Sequence, residues 1–139
     1  MLYVNVWVFG NNCFLDTVSP GVLILTESWL DSCIPDSLLV ANYSYHIFRK
    51  NRLSRGVGIL VLVKKLLNVS VREVTIPNKY CDTEIVAIDL SDDSEVMHFW
   101  LIAVYSSSDN ATFSSALNDL ADSISQVCVF GDFNLPLFN

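Results

Sequence analysis

Charged residues are scarce in this sequence. They make up 17% of the 139 residues, whereas hydrophobic residues make up 52%. Disordered chains combine low hydropathy with high charge, and this composition is the reverse of that. A folded chain of this length hides roughly two-thirds of its surface, which is enough for a hydrophobic core. The composition therefore predicts one folded domain that covers residues 1–139.

Long hydrophobic runs are also missing. The longest stretch without a charged side chain is residues 1–15, and asparagine and glycine interrupt it. A helix needs ~20 apolar residues to cross a bilayer, so we expect no membrane partner. The same stretch has no Lys or Arg, which a secretory signal peptide carries ahead of its apolar core. These absences favour an intracellular location.

Cysteine pairs with the spacing of a metal or redox site are absent as well. The four cysteines stand far apart, and no C-x-x-C pair occurs. Zinc sites and dithiol redox sites commonly use such pairs. The spacing therefore favours reduced structural thiols.

Positive charge is the scarcest of all. The chain has 8 Lys and Arg against 15 Asp and Glu, for a formal net charge of −7, which excludes a generally basic protein that coats nucleic acid. Half of the basic residues nevertheless cluster at Arg49, Lys50, Arg52 and Arg55. Such a cluster predicts either a surface that contacts DNA phosphates or the solvated face of a hairpin, and the sequence leaves both open.

The hydrophobic pattern predicts a chain made mostly of strands, with one amphipathic helix near its end. The predicted strands are Leu2–Phe9, Val22–Leu25, Tyr45–Arg49, Val57–Val63, Val69–Ile76, Glu84–Leu90, Val96–Tyr105 and Val127–Phe130, and the helix is Ala111–Gln126. Many strands with one late helix do not form a regular βαβ repeat. We therefore expect an α/β fold, a layered sandwich of two packed, mainly antiparallel or mixed sheets flanked by helices.

Three of the apolar strands finish in polar side chains. Glu27 follows the second strand, Tyr105 ends the seventh, and Asp132 and Asn134 follow the last. Ligand sites in layered α/β folds gather at the carboxyl ends of strands. Two carboxylates there would offer hard oxygen ligands to Mg²⁺ or Mn²⁺, while the tyrosine and asparagine could bind an oxyanion. Alternatively, the two acidic residues only begin turns and the tyrosine only caps a core strand.

Four blocks of the sequence carry a family resemblance. They are Leu23–Asp31 (LILTESWLD), Arg55–Val61 (RGVGILV), Ala103–Tyr105 (AVY) and Val129–Pro136 (VFGDFNLP). In order and approximate spacing they resemble the motifs of the endonuclease/exonuclease/phosphatase superfamily. The closest likeness is to the apurinic-like endonuclease domain of LINE-type, non-LTR retrotransposons. The resemblance implies a Mg²⁺-dependent domain that cleaves DNA phosphodiesters, and a nuclear location if the chain is part of a retrotransposon protein.

The resemblance also implies a role for each site residue. Glu27 matches the ligand of the divalent metal, and Tyr105 matches a residue that contacts the scissile phosphate or the attacking water. Asp132 would position or activate that water, and Asn134 would hold the phosphate or the aspartate. A phosphodiester anion repels nucleophiles, so metal and hydrogen-bond donors must neutralise the charge that develops as the bond breaks.

The sequence departs from the family pattern in four places. Asn5 is the one match for the family's first asparagine, but the residues around it fit the family's first block poorly. The stretch from Asn5 to the metal ligand is also short. Residues 106–108 are serines where relatives carry Arg-Pro-Pro, and the closing Ser-Asp-His tripeptide does not occur. Neither His46 nor His98 is placed to replace its histidine.

These departures predict a domain truncated at its C-terminus, with negligible turnover by itself and weak or lost DNA binding. Its exposed sheet edges would invite strand-mediated self-association. The alternatives are a non-catalytic remnant that binds nucleic acid, or a fragment of a superfamily phosphatase.

Overall fold

The computed structural model describes residues 2–5, 13–40, 44–51, 58–94, 96–105 and 110–133. Within these residues lie eight strands, three α-helices and two 3₁₀ turns. The strands are β1 (Leu2–Asn5), β2 (Val22–Thr26), β3 (Tyr45–Asn51), β4 (Gly58–Lys64), β5 (Ser70–Val74), β6 (Glu84–Ser91), β7 (His98–Tyr105) and β8 (Val127–Asp132). The helices are α1 (Cys13–Val18), α2 (Asp36–Leu39) and α3 (Asn110–Ala121), and the 3₁₀ turns are Lys65–Leu67 and Asn78–Tyr80.

The strands form two four-stranded sheets. Sheet one has the order β1-β2-β4-β3, and sheet two has the order β5-β6-β7-β8. Neighbouring strands are antiparallel except for the β1–β2 and β7–β8 pairs, which are parallel. The architecture is an α/β sandwich of two mixed sheets flanked by helices, which confirms the predicted fold class.

The core between the sheets consists of alternate residues from the central strands. Every second side chain of a strand points to the same face, so β2, β4, β6 and β7 each send a row inward. These rows are Val22 and Ile24, then Ile59, Val61 and Val63, then Val86, Ile88 and Leu90, and finally Leu101 and Ala103. The remaining face of β4 is also buried, under residues that include Leu30, Leu39 and Tyr45. The apolar run of β4 is therefore covered on both faces, as its sequence predicts.

Helix α3 covers the outer face of sheet two. Phe113, Ala116 and Leu120 recur at helical spacing and pack on Ile85 and Ile102. The helix ends at Ala121, before the predicted end at Gln126. One tighter turn follows, in which the Ser123 amide bonds to the Leu120 carbonyl and the Ser123 hydroxyl bonds to the Asp119 carbonyl. These bonds occupy carbonyls near the end of the helix, so the polar segment leaves the helical path.

Several predicted strand ends also differ from the observed ones by one or two residues. The strand predicted from Val96 begins at His98, because Asp92 bonds the amide of Met97 and closes the preceding turn. The first strand is observed as β1, and the rest of the predicted Leu2–Phe9 lies outside the described residues. No helix in the described ranges is both long and apolar enough to cross a bilayer.

Candidate functional site

The chain leaves β2 through a strained segment that carries the first candidate carboxylate. Glu27 and Trp29 both have left-handed backbones, with φ of 54° and 53°. Such conformations cost of order 1–3 kcal/mol in residues other than glycine and cluster at functional sites. Between them, the amide of Ser28 donates to the carbonyl of Gly58 at 3.1 Å. This bond anchors the segment to β4 while the Glu27 side chain remains half-buried.

A hydrogen bond joins the two sheets at this end of the sandwich. The Tyr105 hydroxyl donates to Oε1 of Glu27 over 3.2 Å, although the two residues are 78 positions apart in the chain. Glu27 follows the last residue of β2 in sheet one, and Tyr105 is the last residue of β7 in sheet two. The carboxyl ends of both strands therefore meet at one place.

The second candidate carboxylate is placed by strand register. Asp132 is paired with Tyr105 across the parallel β7–β8 ladder. Paired residues on adjacent strands leave the sheet on the same face, with about 4.8 Å between the strands. Glu27 and Asp132 thus both adjoin Tyr105. The side chains of all three are partly buried.

The other two predicted site asparagines can be placed only in part. Asn5 is the last residue of β1 and lies in register with Thr26, so its backbone reaches the same end of sheet one. Asn134 lies outside the described residues.

Three buried side-chain oxygens have no hydrogen-bond partner in the described part of the chain. They are the Oε2 of Glu84, which is in register with Tyr105, the Oγ of Ser28 and the Oδ1 of Asn51. Asn51 is paired with Gly58, and a Cβ on that glycine would lie 2.9 Å from the Ser28 hydroxyl. Buried polar groups are nearly always satisfied, so exceptions indicate a position for water, an ion or a bound group. Sequence reasoning missed all three residues, because nothing in the strand pattern distinguishes them from ordinary strand ends.

The donor set suits a hard divalent cation. Mg²⁺ prefers oxygen ligands and is usually held by one or two carboxylates, with water and substrate phosphate completing its shell. Glu27 and Asp132 offer the carboxylates, and Tyr105 and Ser28 offer hydroxyl oxygens nearby. In the described ranges no group of three or more His, Cys, Asp or Glu is placed to hold a metal by itself. A cation here would therefore keep several water or phosphate ligands.

The basic cluster splits between the two faces of β3. Arg49 and Lys50 are consecutive strand residues and point in opposite directions. The Arg49 guanidinium donates to the Ile34 carbonyl at 2.7 Å and pairs with Asp36 at 3.3 Å. Arg52 and Arg55 lie outside the described residues. A role for these four residues in DNA binding stays a prediction.

Lys50 connects the two sheets. Its ammonium group donates to the carbonyls of Cys81 and Thr83, at 2.6 and 2.7 Å, in the segment just before β6. Burial lowers the pKa of Lys50, and the nearby Cys81, Glu84 and Asp82 oppose that shift only in part. The bonds hold the end of β3 against sheet two, close to the start of β6.

Comparisons with known proteins bear on the fold. No protein-family model matches the sequence, and no curated protein matches it. Solved structures do match. ANGEL2, a 2′,3′-cyclic phosphatase, has a TM-score of 0.63 at 16% identity, over 91% of this chain and 43% of that chain. A humanized TDP2 from D. rerio has a TM-score of 0.58 at 16% identity, over 91% of this chain and 57% of that chain. This chain shares the α/β-sandwich fold of these solved structures.

A third structure of this fold extends the comparison. The 3′-5′ exonuclease from Neisseria meningitidis has a TM-score of 0.56 at 18% identity, over 87% of this chain and 50% of that chain. The chain thus spans about half the length of these three solved structures.

Proposed function

We propose that this end of the sandwich is the cation- and phosphate-binding part of a Mg²⁺-dependent phosphodiesterase, a DNA endonuclease domain of retrotransposon origin. The observation that carries the proposal is the hydrogen bond from Tyr105 to Glu27, with Asp132 in register beside the tyrosine. It brings together side chains that are far apart in sequence, at the strand ends where α/β proteins bind ligands.

Each side chain has a task in that chemistry. Glu27 would hold Mg²⁺ or Mn²⁺, and Asp132 would orient the attacking water. The Tyr105 hydroxyl fixes one oxygen of Glu27 and can turn its proton towards a phosphate oxygen. A bound divalent cation would supply positive charge to the phosphate as negative charge develops on it.

The named neighbours support a phosphate ester as the substrate. One is a 2′,3′-cyclic phosphatase in complex with adenosine-2′,3′-vanadate, and another is a 3′-5′ exonuclease. A TDP2 from D. rerio is known in complex with a single-strand DNA product. The choice of DNA rests on the sequence block around Glu27, which resembles the retrotransposon branch, and this origin would place the chain in the nucleus.

We further propose that the 139-residue chain binds the cation and a phosphodiester but turns substrate over very slowly. It contains no Ser-Asp-His tripeptide. His98 begins β7 and His46 is paired with Val63, so both histidines lie at the opposite end of the sandwich. Residues that act as a catalytic unit lose orders of magnitude in rate when one part is removed.

Cation binding tests the site without requiring turnover. The free Mn²⁺ signal in electron paramagnetic resonance measures the affinity of the wild type and of the Glu27→Gln and Asp132→Asn variants. We expect each variant to bind Mn²⁺ more than about tenfold more weakly, since even residues that only support a ligand cost that much. Asp93→Asn is the matched control, because this exposed carboxylate lies in the turn between β6 and β7 at the far end. Wild-type affinity in Glu27→Gln would contradict the assignment.

Plasmid nicking with Mg²⁺ tests the rate. Little or no cleavage, together with salt-dependent retention of DNA, would support a binding role. Nicking that disappears in Glu27→Ala and Asp132→Ala would show that slow turnover is wrong while the site is right.

The phosphatase alternative has one observation in its favour, the TM-score of 0.63 to ANGEL2. Hydrolysis of a 2′,3′-cyclic nucleotide without plasmid nicking would favour it.

A further inference from the structure

A second cluster of charged side chains lies on sheet two, away from the candidate active site. It consists of Arg72 on β5, Asp89 on β6 and His98 on β7. His98 and Tyr105 are the first and last residues of β7, so the cluster lies roughly 20 Å along the strand from the tyrosine. The two residues also point to opposite faces of the sheet. The cluster is therefore a separate feature of the surface.

Asp89 is the centre of the cluster. Its side chain is only 9% exposed, and both of its oxygens accept hydrogen bonds. Oδ2 accepts from Nη2 of Arg72 at 2.7 Å, and Oδ1 accepts from Nε2 of His98 at 2.8 Å. A buried carboxylate is costly unless it is paired, so the two bonds hold the aspartate and both partners in place.

The three residues line a cavity of about 420 Å³ together with Ser70 and Ser91. The serines are in register with each other, and Ser91 is in register with His98, so the two hydroxyls form a row beside the Arg72–Asp89 pair. The side chains of Arg72 and His98 are 79% and 49% exposed. Their polar groups are thus held by Asp89 on one side and exposed to solvent on the other.

The cavity has more donors than acceptors. Asp89 is its one carboxylate among the described residues, and both of its oxygens are occupied. The guanidinium carries five N–H donors, of which Asp89 takes one, and each serine adds a hydroxyl. Since Asp89 accepts from Nε2, the other ring nitrogen of His98 is left for a ligand. We propose that this cavity binds a tetrahedral oxyanion, a phosphate ion or the phosphate group of a small metabolite.

The charge balance gives the proposal a specific signature. Arg72 and Asp89 cancel, and they are the only charged residues that line the cavity with His98 in the described part of the chain. These two residues therefore do not balance the negative charge of a bound oxyanion. The oxyanion would lie beside Nδ1, the ring nitrogen that does not bond to Asp89, so the signals of His98 report binding directly.

Nuclear magnetic resonance of the imidazole groups tests this directly. The chain has two histidines, and His46 lies on β3 of the other sheet, where it serves as an internal control. Inorganic phosphate is titrated at constant ionic strength against chloride. We expect saturable shifts of the His98 signals and no change at His46. If the His98 signals do not change when phosphate is added, the proposal is wrong and the three residues form an ion-pair cluster only.

Two variants and two ligands complete the test. Arg72→Ala should weaken phosphate binding at least about tenfold, because a charge-assisted contact is lost. Lys65→Ala, which removes an exposed positive charge elsewhere, should not. AMP that matches or exceeds phosphate, with no response to adenosine, supports recognition of the phosphate group, whereas saturation by adenosine contradicts it. The His98 signals report on this cavity, which lies at the opposite end of β7 from Tyr105, so the result is independent of the candidate active site.

Discussion

At the residue scale, Lys50 carries its ammonium group into the space between the sheets and donates to two backbone carbonyls there. Burial disfavours the charged form, so the pKa of Lys50 falls below its ordinary value of 10.5. The unfolded chain then binds a proton more tightly than the folded chain. The difference lowers the free energy of unfolding by its full amount while both states are protonated. It has no effect when both states are neutral.

The sign of the pH effect follows from this. The free energy of unfolding should therefore increase as the pH rises from the folded pKa of Lys50 towards 10.5. The neutral amine still has two N–H donors for the Cys81 and Thr83 carbonyls. Urea unfolding of the wild type and of Lys50→Met at pH 8 and pH 10.5 isolates the contribution of Lys50, since the other groups titrate equally in the two proteins. We expect the stability of the wild type relative to the variant to be higher at pH 10.5. A relative stability that falls with pH would contradict the buried, bonded ammonium.

The same residue shows what sequence reasoning could reach and what it could not. Arg49 and Lys50 are neighbours in sequence and look like one patch of charge. Alternation along a strand already implies that they face opposite ways. The carbonyls that hold Lys50 come from a segment about thirty residues later, and nothing local in the sequence indicates that partner.

At the element scale, the β7–β8 pair places Asp132 beside Tyr105, and its geometry depends on one glycine. The backbone of Gly131 lies so close to β7 that a Cβ would come within 1.9 Å of the Val104 carbonyl oxygen and 2.5 Å of its side chain. No side-chain rotation removes a clash with backbone. Only glycine allows the two strands to run in this register up to their carboxyl ends.

Gly131→Ala should therefore lower the free energy of unfolding by about 3 kcal/mol or more, at the upper end of the cost of overpacking. Gly21→Ala is the matched control, because a Cβ there would lie at an ordinary 3.5 Å from the Leu67 side chain. Urea unfolding compares the two. Equal midpoints for Gly131→Ala and the wild type would show that the strands do not approach this closely.

The strands and the helix could be predicted because apolar runs and helical spacing are local signals. The α/β sandwich follows from their order, and the carboxyl-end rule singles out Glu27, Tyr105 and Asp132. The strand order within each sheet depends on pairings between distant segments, which no local pattern encodes. The unpartnered Oγ of Ser28 and Oδ1 of Asn51 also could not be predicted, since these atoms become buried only when β2, β3 and β4 assemble.

At the scale of the whole molecule, the sheet edges differ in how well they are protected. An edge strand can pair with a second chain unless charged side chains oppose it. The edge strand β3 carries Arg49 and Lys50, and the edge strand β5 carries Arg72 and Glu73. In the described residues β8 is bonded only to β7, and its sequence, VCVFGD, is uncharged until its last residue. The edge strand β1 is also uncharged, but it has four residues where β8 has six, so the outer edge of β8 is the longer uncharged edge for pairing with another copy.

We expect concentration-dependent self-association through β8, measured by sedimentation velocity over a wide range of protein concentration. Val129→Lys should shift the equilibrium to monomer, because a charge on the edge must be desolvated when a second strand pairs there. Val96→Lys is the matched control. That valine is 84% exposed, against 37% for Val129, but it lies in a turn and offers no ladder. If non-specific association of exposed apolar side chains caused the self-association, the Val96 variant would have the larger effect. A wild type that stays monomeric at the highest concentration would show that the edge is protected by something other than charge.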